Sequence, residues 1–283
     1  MKTVILVLLS VFLVLGCVRF NSESEPVDSI YTMQQVPAVL NNFYLNGLKV
    51  PDGSKAEYSG SRLLEIRFPA GIYLVSKAPS GKLSLLSDKK YQCTCTGEGC
   101  NVIAFPGNEG WEVGCSSCNS TCTGKWIEEE IVQESDEFLG FVDLDQGVAF
   151  AAESDVYMDA PDANYIFEIP ELQKEFDRFL AANGLQYESE KASEKQQTVY
   201  VNAFGTLISL NVPESTIKEK FKGNSFIISS TGSPSCSCDT GDTGCQLNEI
   251  TRKLCGVCPE ITVGYQCLSG GCVSCTMAIP VQE

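Results

Sequence analysis

The sequence predicts a β-rich α+β protein with two tandem related β modules joined by an acidic α+β connector, each module ending in a disulfide-stapled, cysteine-rich subdomain. Three observations lead to this prediction. Most of the 15 cysteines in the 283-residue chain fall into two groups of similar order. Apolar, strand-like runs precede each group. Nearly all of the net charge of −16 lies between the groups.

The two cysteine groups share a Cys-x-Cys pair, a single cysteine, a Cys-x-x-Cys pair and a further cysteine. The first group contains Cys93, Cys95, Cys100, Cys115, Cys118 and Cys122. The second contains Cys236, Cys238, Cys245, Cys255, Cys258 and Cys267, followed by Cys272 and Cys275. Aligned in this order, Cys115 corresponds to Cys255 and Cys122 to Cys267. Upstream, Leu63–Val75 and Thr198–Val212 each hold two apolar runs separated by a glycine. We interpret the pattern as a diverged internal duplication.

The charge distribution supports a division of the chain into five segments. Residues 125–197 contain 5 basic and 19 acidic residues, a net charge of 5 − 19 = −14. We expect a signal peptide (1–16), a tether and N-terminal segment (17–45), a first module (46–124), an acidic connector (125–197) and a second module (198–283). In the connector, Pro170 to Ala182 has an N-terminal proline, a helical apolar period and a closing Asn-Gly, which predicts a helix. Gly140–Ala151 is predicted to be a turn between short strands.

The leader indicates export. Lys2 precedes the apolar run Val4–Leu15, which is shorter than the ~20 residues that span a bilayer and is typical of a secretory signal. Its end, Val14-Leu15-Gly16-Cys17, resembles the lipobox of bacterial lipoproteins. The resemblance covers residues 1–17 only. It implies that Cys17 is acylated, for example with palmitate, and holds the protein to a membrane on the periplasmic or extracellular side of the cell envelope. The alternative is an ordinary signal peptide cleaved nearby, which also exports the protein.

The cysteines other than Cys17 are predicted to form disulfides. Setting Cys17 aside leaves 14 cysteines, 6 in the first group and 8 in the second, and even numbers are what pairing within each group requires. Exported compartments oxidise thiols, and disulfides stabilise loop-rich segments that bury little apolar area. The connectivity stays open at this stage, because 6 cysteines allow 15 pairings and 8 allow 105.

Two alternatives use the same cysteines differently. Cys255, Cys258, Cys272 and Cys275 form two Cys-x-x-Cys pairs separated by 13 residues, a spacing close to that of four-cysteine zinc or iron–sulfur sites. The pair Cys255 and Cys258 also has the form of a thiol–disulfide exchange motif, although no thioredoxin-like βαβ pattern surrounds it.

The acidic connector holds a weaker candidate for calcium. Asp143 and Asp145 match the start of an oxygen-rich calcium loop, but the later ligand positions do not fit, and a turn on a solvated acidic surface is the alternative. The same acidity makes a protein or cation the expected partner at the connector.

The composition also excludes several functional classes. The chain has no histidine, which removes Ser-His-Asp triads and histidine-bearing zinc sites. Its negative charge argues against nucleic acid as a partner. The leading hypothesis is therefore a non-enzymatic envelope lipoprotein with a structural, adhesive or partner-binding role. An exported metal-thiolate or iron–sulfur protein is the alternative, and a hydrolase that uses connector carboxylates is the third hypothesis.

Overall fold

The computed structural model describes twelve stretches of the chain. They are residues 34–97, 99–107, 110–117, 121–127, 137–151, 161–185, 196–216, 228–229, 235–238, 244–253, 260–269 and 275–278. The leader with Cys17 lies outside these residues, as do Cys118, Cys255, Cys258 and Cys272. No helix in the described stretches is long and apolar enough to cross a membrane.

Strands predominate, which confirms the β-rich α+β class. The strands are β1 Phe43–Leu45, β2 Leu48–Lys49, β3 Lys55–Tyr58, β4 Leu63–Arg67, β5 Ile72–Lys77, β6 Leu83–Leu86, β7 Asp88–Cys95, β8 Asn101–Pro106, β9 Trp111–Ser116, β10 Cys122–Ile127, β11 Glu137–Asp143, β12 Val148–Phe150, β13 Gln196–Ala203, β14 Thr206–Pro213, β15 Ile228–Ser229, β16 Ser235–Cys238, β17 Cys245–Lys253, β18 Glu260–Ser269 and β19 Cys275–Ala278. The helices are a 3₁₀ turn at Leu144–Gln146, α1 Ala163–Ile166 and α2 Pro170–Ala182.

The chain divides into two compact units, each formed from two separate stretches. Unit 1 comprises Met1–Pro69 and Asp88–Ser135, and unit 2 comprises Ala70–Ser87 and Asp136–Glu283. The stretch 70–87, which the sequence places within the first module, thus belongs to unit 2.

The described residues of unit 1 form two four-stranded sheets, in the orders β2-β1-β9-β8 and β10-β7-β4-β3. Burial alternates along β4 and β7, as expected for antiparallel strands that bury one face. Leu64 and Ile66 are fully buried, whereas the intervening Glu65 is half-buried. The N-terminal segment joins the unit through Tyr58, whose hydroxyl accepts a hydrogen bond from the Val36 N–H (3.0 Å) and donates one to the Val102 carbonyl (3.1 Å).

Unit 2 buries its core between helix α2 and the sheets that contain β5 and β13–β14. The sheets are β11-β5-β6, the main sheet β12-β13-β14-β18-β17 with β15 also paired to β13, and the pair β16-β19. The predicted helix is confirmed, with Pro170 at its first turn and Leu172, Phe176 and Leu180 buried against the core. The Phe176 ring stacks on that of Phe167, with centroids 4.1 Å apart.

Strands β13 and β14 form a hairpin through a two-residue turn. Phe204 and Gly205 both have positive φ (54° and 83°), the geometry of the turns that match strand twist in hairpins. The turn residue Phe204 exchanges backbone hydrogen bonds with the Asp143 N–H (2.8 Å) and the Gly147 carbonyl (2.7 Å). The 3₁₀ turn at Leu144–Gln146, which lies between β11 and β12, confirms the predicted turn between short strands in Gly140–Ala151.

The predicted correspondence between Leu63–Val75 and Thr198–Val212 is wrong at the level of strand pairing. In the second segment the two runs, β13 and β14, pair with each other. In the first segment the runs are β4 and β5, and they belong to different sheets, β4 beside β7 and β5 beside β11. The reason is that the chain passes from unit 1 to unit 2 between them, at Pro69.

Candidate functional site: the cysteine-stapled hairpins

The two cysteine groups form the same arrangement of four strands. In the first group, β7 pairs antiparallel with β10, and β8 and β9 form the hairpin between them in sequence. In the second group, β16 pairs antiparallel with β19, and β17 and β18 form the intervening hairpin. In both arrangements the first outer strand therefore ends in Cys-x-Cys, and the inner hairpin follows it in the sequence.

The cysteines also occupy the same registers in the outer strand pairs. Cys95, the second cysteine of the first Cys-x-Cys pair, faces Cys122 at the start of β10. Cys238, the second cysteine of the other pair, faces Cys275 at the start of β19. Cys122 and Cys275 are therefore equivalent positions.

The inner hairpins match equally well. Cys115 faces Val102, which lies two residues after Cys100. Cys267 faces Leu247, which lies two residues after Cys245. In both hairpins one cysteine thus stands at or directly before the start of the first strand, and another stands near the end of the second strand.

These registers correct the cysteine alignment that the sequence suggested. Cys115 corresponds to Cys267 rather than Cys255, and Cys122 corresponds to Cys275 rather than Cys267. The sequence comparison failed because the second hairpin has longer strands, of 9 and 10 residues against 6 and 6. Cys255 lies between β17 and β18 in the sequence, outside the described residues.

Disulfides join the outer strands to the inner hairpins. Cys93–Cys115 in the first group and Cys236–Cys267 in the second connect equivalent positions, with the same Cα–Cα distance of 5.6 Å. Cys245–Cys275 connects the start of the second hairpin to the final strand, with a Cα–Cα distance of 5.7 Å. The prediction that these cysteines form disulfides is confirmed.

Three further sulfur atoms form a cluster in the first group. The Sγ atoms of Cys95, Cys100 and Cys122 all lie within 4.8 Å of one another, and Cys100 is only 2% exposed. Cys95 is at bonding distance from both Cys100 and Cys122. Because one sulfur forms only one disulfide, these two contacts are alternatives. The cluster can therefore hold one disulfide, or a soft metal ion if its thiols are reduced.

The four-cysteine metal site predicted from the sequence is described at one position only. Cys275 is bonded to Cys245, and a disulfide sulfur is not a thiolate ligand. Cys255, Cys258 and Cys272 lie outside the described residues, so this site stays a prediction. The grouping of Cys95, Cys100 and Cys122 was not predicted from the sequence, although each stands at or next to the end of a strand.

Aromatic packing surrounds the first disulfide. The Tyr91 ring packs edge-on against Trp126, with centroids 4.7 Å apart, and its hydroxyl lies 4.0 Å from the Cys115 Sγ atom. Gly124, which faces Cys93 across the strands, leaves room for the Tyr91 side chain, because a Cβ atom there would overlap the Tyr91 hydroxyl. Burial raises the pKa of Tyr91, so the hydroxyl keeps its proton at neutral pH.

The calcium candidates lie at the 3₁₀ turn in unit 2, where Asp143 has a structural role. Its carboxylate accepts hydrogen bonds from the Asp145 N–H (3.0 Å) and the Gln146 Nε2 (2.8 Å). Gln146 in turn accepts a hydrogen bond from Asn202 Nδ2 (2.8 Å), which ties the turn to β13. Asp145 is exposed, and its carboxylate lies against Gly71. The capping bonds account for the turn, and calcium binding by Asp143 and Asp145 stays a prediction.

No protein-family model, curated protein or solved structure matches this chain. What defines its class is the disulfide-linked β structure. The disulfides in both cysteine groups indicate an oxidising, extracytoplasmic environment, since cytosolic thiols are kept reduced.

Proposed function

We propose that this protein is an exported lipoprotein, anchored to a membrane of the cell envelope through Cys17, with a structural, adhesive or partner-binding role. The observation that carries the proposal is the matching pair of disulfide-stapled hairpins, which suits a compartment that oxidises thiols. The apolar leader and its Val14-Leu15-Gly16-Cys17 end supply the export signal and the acylation site. The polar stretch 18–28 then serves as the tether.

The two modules are diverged copies of one ancestral unit in this proposal. What supports the duplication is the agreement of strand order, antiparallel pairing and cysteine register between β7–β10 and β16–β19. Similar cysteine-rich composition alone would not place Cys115 and Cys267 at the same register. Two copies of one module would also give the protein two related surfaces on a single anchor.

The way in which the second hairpin is held suits a binding role. In the second module one disulfide fixes the start of β17 and another fixes β18 near its end, through Cys245 and Cys267. The connection between β17 and β18 can then vary in length while the disulfides keep the two strands in place. Many proteins present binding loops from a rigid framework in this way. The net charge of 5 − 19 = −14 in residues 125–197 favours a cationic or basic protein partner at the connector.

The anchor is tested by a Cys17→Ser variant in the native host. We expect the variant to lose the acyl mass and to appear in the soluble fraction, because no thiol is left to carry the lipid. Ser22→Ala is the matched control, since it changes a small polar residue of the tether and leaves the lipobox intact. A Cys17→Ser protein that stays in the membrane with the wild-type mass would contradict the anchoring proposal.

A metal-thiolate protein is the second candidate function, and the sulfur cluster of Cys95, Cys100 and Cys122 favours it specifically. Three thiolates at this spacing suit zinc or monovalent copper, which prefer soft sulfur ligands. Elemental analysis of protein purified without chelator separates the candidates. Stoichiometric metal with three unoxidised thiols supports the metal-thiolate function, and metal-free protein without free thiols supports the disulfide-stapled lipoprotein.

A further inference from the structure

We infer that the two modules share one disulfide framework, in which Cys100 bonds to Cys122 as Cys245 bonds to Cys275. The inference assigns one pairing to the three-sulfur cluster, where Cys95 has two alternative partners. It requires an oxidising compartment but does not depend on the lipid anchor.

The strand registers make Cys100 and Cys245 equivalent. In the first module Cys100 stands two residues before Val102, which faces Cys115. In the second module Cys245 stands two residues before Leu247, which faces Cys267. The disulfides Cys93–Cys115 and Cys236–Cys267 already follow this equivalence. One of the bonds of the framework is therefore common to both modules.

The second module then shows which cysteine forms a disulfide with the cysteine of its last strand, β19. Cys238 faces Cys275 across the outer strand pair, just as Cys95 faces Cys122. Cys275 nevertheless bonds to Cys245 at the start of the hairpin, and Cys238 is disulfide-bonded as well. Cys275 thus does not bond to the cysteine that it faces across the strand pair. The equivalent bond in the first module is Cys100–Cys122. Those two sulfur atoms lie 3.6 Å apart, so a small side-chain rotation joins them.

The count of cysteines completes the assignment in the first group. Six cysteines with Cys93–Cys115 and Cys100–Cys122 paired leave Cys95 and Cys118 as the third pair. Cys118 lies outside the described residues, so this last pair follows from the count alone. In the sequence, Cys118 lies between Cys115 and β10, as Cys272 lies between Cys267 and β19.

This framework clamps the hairpin through both of its strands. Cys93–Cys115 ties β9 to β7, and Cys100–Cys122 ties the start of β8 to β10. A Cys95–Cys122 bond would instead join two outer strands that are already paired by hydrogen bonds. Forming Cys100–Cys122 removes two protons and two electrons from two thiols. An exported disulfide donor accepts them and becomes a dithiol.

The test is a Cys100→Ser variant of the full chain, alkylated in acid without reductant and then mapped by mass spectrometry. We expect one label more than in wild-type protein, at Cys122, because the serine removes its partner. The matched control is Cys245→Ser, which should label Cys275. A label at Cys95 would overturn the inference, because it would show that Cys100 pairs with Cys95.

Wild-type protein gives an independent readout if the variant does not fold. Cleavage after Glu98 and Glu109 separates Cys100 from Cys95 and from Cys122. We expect fragmentation spectra of the unreduced digest to join the Cys100 peptide to Cys122. A Cys100 peptide joined to Cys95, or three free thiols with bound metal, would refute the shared framework. Neither result would bear on the anchor, which the Cys17→Ser variant tests separately.

Discussion

Two tyrosines, the half-buried Tyr58 and the fully buried Tyr200, differ in how their hydroxyl groups are hydrogen-bonded. Tyr58 uses its hydroxyl twice, as acceptor from the Val36 N–H and as donor to the Val102 carbonyl. Tyr200 is fully buried, and its hydroxyl has no hydrogen-bond partner among the residues that the structure describes. The same chemical change at the two sites should therefore have different consequences.

We predict that Tyr58→Phe lowers the free energy of unfolding by about 1–3 kcal/mol, because it orphans two backbone groups. Tyr200→Phe should leave the free energy of unfolding unchanged or raise it, because the buried hydroxyl loses its hydration on folding without gaining a hydrogen bond. Urea unfolding of each variant measures both values, with Tyr73→Phe as a half-buried control. Equal losses at Tyr58 and Tyr200 would contradict the assigned hydrogen bonding.

Alkaline pH should destabilise the protein through the same side chains. Burial raises the pKa of Tyr58, Tyr91 and Tyr200 above the ordinary value of about 10. The unfolded chain therefore releases these protons first, and the folded chain binds more protons above that pH. The free energy of unfolding should be constant with respect to these groups below about pH 10 and fall as the pH rises further.

Phenolate absorbance against pH, recorded for folded and urea-unfolded protein, measures the effect. The Tyr200→Phe variant should show a shallower alkaline loss of stability than wild type. Identical titration curves in the folded and unfolded states would show that burial does not raise the pKa of these tyrosines.

At the scale of elements, α1 depends on side chains from the hairpin β17–β18. A helix of 4 residues is too short to be stable alone. Gln266, which is 2% exposed, accepts a hydrogen bond from the Ala163 N–H (2.7 Å) and donates one to the Pro161 carbonyl (2.9 Å). Its amide thus satisfies the backbone on both sides of the helix N-terminus.

Asn164 makes a second link from α1 to the same hairpin. Its side-chain Nδ2 donates to the Glu249 carbonyl (3.1 Å), and its Oδ1 accepts from the Thr251 N–H (3.0 Å). These bonds bracket Ile250, where the register of β17 against β18 shifts. The asparagine therefore satisfies backbone groups that the irregularity leaves at the edge strand.

We predict that Gln266→Met destabilises unit 2 by about 1–3 kcal/mol for each backbone group it orphans. The Ala163 amide should also exchange its hydrogen faster, because α1 loses its anchor. Gln246→Met is the matched control, since Gln246 is exposed on the same hairpin. Hydrogen exchange and urea unfolding together measure the effect, and equal behaviour of the two variants would show that Gln266 does not hold the helix.

At the scale of the whole molecule, covalent and apolar stabilisation are distributed unevenly. The largest buried cluster, in unit 2, packs α2 against β13 and β14 and contains no cysteine among its described members. The cysteine groups instead staple short strands and hairpins. Each disulfide contributes ~2–4 kcal/mol by the chain-entropy estimate.

Reduction should therefore affect the two kinds of structure differently. Both tryptophans of the chain, Trp111 and Trp126, lie in unit 1 beside the first cysteine group. We predict that reductant lowers the thermal midpoint seen by tryptophan fluorescence more than the midpoint of the helical circular dichroism from α2. The oxidised form of the same reagent is the control. No shift in fluorescence would show that the disulfides do not stabilise unit 1, and equal shifts would show that they stabilise α2 to the same extent.

Local sequence signals determined the parts of the fold that depend on near neighbours. Pro170, the apolar period and Asn183-Gly184 predicted α2 with its observed bounds, because capping and amphipathicity act within a few turns. Even cysteine numbers predicted disulfides, because the oxidation of thiols depends on the compartment and not on the fold.

Tertiary structure alone decided which cysteines meet and which strands share a sheet. Cys115 is equivalent to Cys267 and not to Cys255, and β4 and β5 separate into different sheets, although the sequence suggested otherwise. The proximity of Cys95, Cys100 and Cys122 likewise arises from pairing between β7 and β10. Strand register depends on contacts between residues far apart in sequence, and spacing along the chain carries no direct record of those contacts.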